Sequence, residues 1–442
     1  MSITGSPSED RAAVVSEKVA GEAEPADQKS AQQKPLGAGD AKTQQKKPDK
    51  GKARLLGVDV ARSVAILGMF AAHVGPTEYD HPDSWAFLPF HGRAAVLFAV
   101  LAGISIAMMS GSTAPAVGKG WRKALVRIGS RALLMLALGV VMNLVFIVPV
   151  WIILTYYGGF FLLSLPFLRL RAGALAVLAG VAIIGMPLAS WLVRSIYFPK
   201  SLMETPLNDL GAEQLNSWAG AGEFVTTLML TGVFPAFIWI GYVFAGMALG
   251  RMDLTSEVVA KWLTIGGAAL AVVAYGTSWL ALNAWGGAER LYASLQPYAD
   301  ADGVPVDEFL HLSLFKVHGT PPTDTPAWLL LANAHTGTPF DGAGSVGLSL
   351  LIIGGSLMLQ RVGTRVLKPL GAVGAISLTC YVGHLVMMQL LWGGEPNYTA
   401  LNAFWFIVGS LLFAVVWQRW YGQGPLEKLV AKISSSATRA VR

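Results

Sequence analysis

The sequence contains a single cysteine, Cys380, and few charged residues for its length of 442. One cysteine excludes an intrachain disulfide, and it excludes a cysteine-ligated zinc or iron–sulfur site built by one chain. Charged residues make up 14% of the chain, against about 25% in typical soluble domains. We therefore exclude an ordinary soluble enzyme, and we predict no metal site.

Long apolar runs are abundant, and hydrophobic residues make up 53% of the chain. About 18 apolar residues suffice to cross ~30 Å of hydrocarbon as a helix. We predict an all-α polytopic membrane bundle of about ten transmembrane helices, with the lipid bilayer as its surroundings. The expected spans are 55–75, 93–112, 124–148, 150–168, 172–197, 223–250, 259–286, 344–361, 370–393 and 399–420.

The charge pattern orients the chain. Residues 1–54 contain no aromatic residue and no hydrophobic periodicity, so we predict a disordered tail. The tail ends in a basic cluster, and basic residues recur in every second loop, which predicts cytoplasmic termini. The net charge of +6 thus reflects topology, and we expect no nucleic-acid partner. The predicted layout is a tail (1–54), a membrane domain (55–420) in the inner (plasma) membrane and a cytoplasmic C-terminal tail (421–442).

The segment 326–343 has an apolar run that is too short to span, and it carries His335 and Asp341. Long loops of this kind are often functional lids. We expect a re-entrant or partly buried loop over a pocket, with these two side chains as substrate contacts. No internal repeat is evident, so the inverted-repeat architecture of many transporters has no support.

The first predicted span carries Asp59, Arg62 and His73. Asp59 and Arg62 are three residues apart and can pair. Arg62 and His73 are eleven apart, which is nearly three helical turns, so they project from one face about 16 Å apart. Ionisable groups at membrane depth are costly and usually functional. The alternative is a neutralised structural pair with His73 as an interfacial cap.

Other polar residues of the spans are further candidates. They are His91 and Arg93 at the second span, Arg127 and Arg131 in the third, and Tyr381 and His384 in the ninth. An imidazole can exchange a proton at neutral pH, and a guanidinium can bind phosphate. The alternative is that the arginines snorkel and the histidines pack or cap. We expect His81, His311 and His318 to be solvated loop residues.

Several short motifs together resemble the transmembrane acyltransferase superfamily, which includes acyltransferase-3 proteins and relatives of heparan-alpha-glucosaminide N-acetyltransferase. Arg62, ten residues and then His73 resembles the first-span motif. The stretch 97–103 is similar to the second-span Phe-x-x-x-Ser-Gly, with Ala102 in place of Ser. The segments 230–235, 245–254, 335–341, 377–384 and 424–427 resemble the heparan-acetyltransferase-like branch.

The resemblance implies that 55–420 is an acyl-CoA-dependent O- or N-acetyltransferase domain. It implies transfer of an acetyl or other acyl group from cytosolic acetyl-CoA (acyl-CoA) to a hydroxyl or amine of an envelope sugar or glycolipid, for example a trehalose lipid. The catalytic candidates are His73 as general base or acyl carrier, His91 as the alternative histidine, and Asp59. The donor-binding candidates are Arg62, Arg93, Arg127 and Arg131, and the substrate-contacting candidates are His335, Asp341, Tyr381 and His384.

The residues leave alternatives open. A proton-coupled small-molecule transporter or flippase is the second function, because intramembrane Asp, Arg and His also suit a proton relay. An inactive membrane anchor is the third. The choices between His73 and His91, between direct transfer and an acetyl-enzyme, and between monomer and homodimer stay open.

Overall fold

Helices make up the regular structure of this protein. The structure, a computed structural model, describes residues 55–76, 84–198, 210–314, 317–393 and 397–441. The predicted tail 1–54 and His81 lie outside the described residues. Every regular element within them is a helix, which confirms the all-α class. Helices suit apolar segments, because each backbone N–H and C=O finds its partner within the segment.

The first seven helices build the first half of the bundle. They are α1 (Leu56–Val74), α2 (Arg93–Met109), α3 (Gly118–Val145), α4 (Leu154–Ser164), α5 (Ala172–Tyr197), α6 (Trp218–Thr226) and α7 (Ala236–Gly250). Short 3₁₀ turns precede α2 at Ser84–Ala86 and Leu88–Phe90, and a π-helical turn at Thr227–Thr231 follows α6.

Eight further helices complete the described chain. They are α8 (Glu257–Asn283), α9 (Gly287–Asp302), α10 (Val306–Leu314), α11 (Pro339–Val362), α12 (Thr364–Ala375), α13 (Ser377–Trp392), α14 (Ala400–Tyr421) and α15 (Pro425–Arg439). Helices α9 and α10 belong to the long loop before α11, and they pack around a small separate apolar core that includes Trp328.

Seven stretches of the described chain are long and apolar enough to cross a membrane: α1, α2 with its preceding turns, α3, α5, α8, α11 and α14. The pairs α6–α7 and α12–α13 are bent by 53° and 68°, and as single crossings they would raise the number to nine. The chain is thus a multi-pass membrane protein. The predicted fourth span, 150–168, contains the short helix α4, because Pro149 and Pro166 cannot donate backbone hydrogen bonds and bracket it.

Glycine lets α2 and α7 cross in close contact. A Cβ on Gly103 would come 2.7 Å from the backbone nitrogen of Met247 and 2.8 Å from Cα of Gly246. Small residues are the usual means of close helix packing in membranes, where van der Waals contact drives association. Gly103 therefore serves the close packing of α2 on α7.

The segment 421–442, which the sequence predicted as a tail, contains the amphipathic helix α15. Its buried residues Val430, Ser434 and Thr438 recur every four positions, so they form one helical face. This face packs against α3, where Arg131 Nε donates to the hydroxyl of Ser434 at 3.4 Å. Helix α15 therefore forms one wall of the space beside α3.

Candidate active site

Asp59 and Arg62 form a mostly buried ion pair on α1. Arg62 Nη1 donates to Asp59 Oδ1 at 2.9 Å, and Asp59 is 6% exposed. Arg62 also donates to the Gly374 carbonyl at 3.4 Å and to the Ser105 hydroxyl at 3.3 Å. The predicted pairing is confirmed. These contacts fix the guanidinium between α1, α2 and the bend between α12 and α13.

A cavity of about 470 Å³ adjoins this guanidinium, and we call it the Arg62 cavity. Its walls come from α1 to α4, the α12–α13 bend and α15. The polar residues that line it include Arg62, Ser105, Arg131, Tyr157, Tyr381 and Glu427. Within the described residues, the Tyr157 hydroxyl is buried and has no hydrogen-bond partner. Arg127 is exposed on another face of α3, so of the two arginines predicted there Arg131 is the one that lines the cavity.

His73 and His384, which are 311 residues apart, form a hydrogen-bonded pair. Nδ1 of His73 lies 3.0 Å from Nε2 of His384. The His384 ring is 3% exposed, packs 4.6 Å from the ring of Phe70 and is hydrogen-bonded through Nδ1 to the Tyr381 carbonyl. Sequence reasoning named both histidines but did not predict their contact.

His73 lines a second cavity, of about 230 Å³, and we call it the His73 cavity. His73, His91, Trp151, His318, His335 and Tyr398 are among its lining residues. It shares the side chains of Met69 and Ile153 with the Arg62 cavity. The two cavities are therefore neighbours along α1, at Met69, which lies between the Asp59–Arg62 pair and His73.

A third cavity, of about 510 Å³, adjoins the His73 cavity, and we call it the vestibule. Trp85, His91, Arg93, His318, Asn333 and His335 are among its lining residues. Arg93 Nε donates to the Tyr275 hydroxyl at 3.3 Å. Arg93, predicted as a donor-binding residue, thus lines the vestibule and not the Arg62 cavity.

Three loop histidines, His91, His318 and His335, line both the His73 cavity and the vestibule. The backbones approach closely at Gly92, whose φ is +65° and where a Cβ would lie 2.9 Å from the nitrogen of His335. The ring of His318 lies 4.1 Å from Trp151 and 5.2 Å from His335 between centroids. The expectation of a solvated His318 was wrong, because its ring is half-buried against Trp151 and His335. The sequence signal was a glycine one or two residues after each histidine.

The loop before α11 is held by Asp341. Its Oδ2 accepts from the Gly337 N–H at 3.2 Å, and its Oδ1 accepts from the Ser345 hydroxyl at 3.1 Å. Asp341, predicted as a substrate contact, is 4% exposed and supports the loop that carries His335. Burial, reinforced by His318 and His91, lowers the pKa of His335 well below its usual range. That ring is therefore neutral at pH 7.

Two models of known protein families match parts of this chain. The model described as heparan-alpha-glucosaminide N-acetyltransferase, catalytic, matches residues 54–282, which include Arg62 and His73. A model described as a protein of unknown function (DUF418) matches 325–436, which include His384. No curated protein matches the chain. Because the first match covers just over half of the 442 residues, the chain belongs to the heparan-alpha-glucosaminide N-acetyltransferase family of transmembrane acyltransferases.

Proposed function

We propose that this protein transfers an acetyl or other acyl group from cytosolic acyl-CoA to a hydroxyl or amine on the far side of the membrane. The observation that carries the proposal is that two neighbouring cavities lie along α1, one lined by Arg62 and the other by His73, with Met69 and Ile153 lining both. In this proposal the Arg62 end of α1 and both termini face the cytoplasm, and the His73 end faces the envelope.

The Arg62 cavity suits the donor. Arg62 and Arg131 line it, and a guanidinium binds phosphate through paired, charge-assisted hydrogen bonds. The buried Tyr157 hydroxyl is available to the amide-rich arm of the donor. In the bound state the phosphates lie near Arg131 and α15, and the thioester reaches past Met69 towards His73.

The vestibule suits a sugar-bearing acceptor. Trp85 is 74% exposed and lines it, and Trp151 lines the adjoining His73 cavity. Indole rings present large apolar faces that carry a polar N–H, and sugar rings stack on such faces. We propose that an envelope sugar or glycolipid enters here and places its hydroxyl or amine beside His73.

His73 acts as the general base of the reaction. The acceptor hydroxyl gives its proton to His73 while its oxygen bonds to the thioester carbon. The tetrahedral intermediate then breaks its carbon–sulfur bond, and the proton returns from His73 to the leaving sulfur. The products are the acyl ester and the free thiol of CoA. His91 is suited to support the oxyanion, because it lines both cavities at this point and its Nε2 has no hydrogen-bond partner among the described residues.

The test uses the full chain in lipid nanodiscs with acetyl-CoA and envelope extracts. CoA release is measured as free thiol, and acetylated lipids and glycans are identified by mass spectrometry. We expect His73→Ala to lower transfer by at least ~100-fold, which is a typical contribution of a general base. His311→Ala, at an exposed position of α10, is the matched control.

Two results would contradict the proposal. A folded His73→Ala variant that transfers acetyl at the wild-type rate would remove His73 from the reaction. The wild-type protein could instead move a solute together with protons, without binding acetyl-CoA or releasing its thiol. That result would support the alternative function, a proton-coupled transporter.

A further inference from the structure

We propose that His384 is a positioning residue, which holds His73 in the one tautomer that leaves its Nε2 lone pair on the cavity side. This inference rests on the proposed acyl transfer. It assigns to His384 a role behind the reacting histidine, not a contact with the substrate.

The Tyr381 carbonyl fixes the tautomer of His384. A carbonyl oxygen only accepts hydrogen bonds, so the Nδ1 of His384 that is bonded to it must carry a hydrogen. The His384 ring is 3% exposed, and its hydrogen bonds go to the Tyr381 carbonyl and to His73, with no carboxylate of the described residues among them. A buried imidazolium without a counter-charge is costly. His384 is therefore neutral, and its Nε2 is an acceptor.

His384 in turn determines which nitrogen of His73 carries the hydrogen. Two unprotonated nitrogens would repel each other at 3.0 Å, so Nδ1 of His73 must donate to Nε2 of His384. In neutral His73 the other nitrogen, Nε2, then carries the lone pair. The two nitrogens lie on different edges of the ring, so Nε2 points away from His384.

The surroundings show that this direction is the cavity side. His73 lines the His73 cavity. His384 instead lines an apolar cleft of about 520 Å³ between α13 and α14, together with Cys380 and Trp405. The pair thus lies between a mostly apolar cleft and a cavity that is lined by three further histidines. The lone pair of His73 faces the cavity through which the acceptor arrives.

The surrounding helices hold the His73 and His384 rings in position. The 68° bend before α13 turns this helix against α1, and Phe70 and Tyr381 lie 4.6 and 5.3 Å from the His384 ring between centroids. When His73 takes the proton of the acceptor, its Nδ1–H becomes a charged donor and its bond to His384 shortens and strengthens. His384 thereby steadies the imidazolium, as the third member of a catalytic triad does.

The test compares two substitutions of His384 in the purified full chain. His384→Gln keeps a side-chain oxygen that can accept from His73, whereas His384→Phe keeps the ring volume and the packing on Phe70 but accepts nothing. Diethyl pyrocarbonate is the probe, because it carbethoxylates the unprotonated imidazole nitrogen. The rate at His73 is read by peptide mass spectrometry, and His311→Phe is the control for the loss of a histidine.

We expect His384→Phe to lower the carbethoxylation rate of His73 by about 10-fold, the tautomer bias that one neutral hydrogen bond supplies. His384→Gln should stay within about threefold of the wild type. In acetyl-CoA hydrolysis, His384→Phe should lower kcat by a similar factor and leave KM unchanged, because the Arg62 cavity is intact. Equal thermal melting of the two variants excludes a folding effect.

Other outcomes overturn the inference. A His384→Phe variant that reacts like the wild type, or a His384→Gln variant that is as slow as His384→Phe, shows that hydrogen-bond acceptance by residue 384 does not orient His73. Wild-type protein that is modified at His73 but never releases CoA contradicts the acyl transfer itself. The probe and the donor therefore report separately on the two proposals.

Discussion

The carboxylate of Glu427 on α15 lies 2.5 Å from the hydroxyl of Thr379 in the first turn of α13. The same carboxylate accepts from the backbone N–H groups of Leu378 at 2.8 Å and Thr379 at 3.1 Å. It thus satisfies backbone N–H donors that the start of a helix leaves without partners. Its negative charge also interacts favourably with the positive N-terminal end of the α13 dipole. One residue of the last helix therefore holds the bend that brings His384 to His73.

We expect Glu427→Ala to free α15 from α13. Losing such a cap costs about 1–2 kcal/mol, and the Arg62 cavity loses part of its wall. The melting temperature should fall, and trypsin should cut faster after Lys428 and Lys432. Glu308→Ala, at an exposed position of α10, should change neither measurement. Unchanged proteolysis of Glu427→Ala would show that the apolar face of α15 suffices to hold it.

The arginines of α3 allow a matched test of donor binding. Arg131 lines the Arg62 cavity, and Arg127, one turn earlier, is exposed. We expect Arg131→Gln to raise the Kd for acetyl-CoA by about 10- to 100-fold, since a charged hydrogen bond contributes about 1.5–3 kcal/mol. Arg127→Gln should leave it nearly unchanged.

Titration calorimetry with two ligands completes this test. S-acetylpantetheine lacks the phosphates of the nucleotide, so Arg131→Gln and the wild type should bind it equally. Equal losses of acetyl-CoA affinity in both α3 variants would instead indicate a general surface attraction.

Arg251 is the structural anchor of the α7 end of the bundle. It is 4% exposed and donates to the carbonyls of Ala107, Ser112, Leu168 and Leu170 and to the Ser110 hydroxyl. These bonds tie the end of α2 to the loop after α4.

We expect Arg251→Met to destabilise the protein by several kcal/mol, because it leaves buried carbonyls without donors. Thermal unfolding in detergent measures the effect, and Arg122→Met, at an exposed arginine of α3, is the control. If Arg251→Met binds acetyl-CoA normally at low temperature, its role is confined to stability. A melting temperature equal to that of the control would contradict the anchor.

The close crossing of α2 and α7 predicts that alanine substitutions at two glycines change the stability differently. Gly103→Ala places a methyl group against the backbone of α7, whereas nothing lies within 4 Å of a Cβ at Gly180 on α5. We expect Gly103→Ala to destabilise by about 1–3 kcal/mol through overpacking. Gly180→Ala should be neutral or stabilising by up to about 1 kcal/mol, because alanine favours a helix. Thermal unfolding of the two variants measures this difference in stability. Equal melting temperatures would contradict the close crossing of α2 and α7.

The local pattern of the chain determined much of the fold. Apolar run lengths located the long helices, since the thickness of the hydrocarbon layer fixes how many residues a crossing needs. The spacing of Asp59, Arg62 and His73 placed them on one face of α1, because helical geometry is the same in every sequence. The amphipathic helix α15 was not predicted, although its buried positions recur with helical spacing.

Only the tertiary structure decided what these side chains meet. The contact of His73 with His384 depends on the bend at the start of α13, and the contact of His318 with His335 depends on how two separate loops pack together. Arg93 and Arg131 carry the same charge, yet they line different cavities. Helical periodicity acts over a few residues and can be read along the chain, whereas contacts between residues hundreds of positions apart arise from the packing of whole helices.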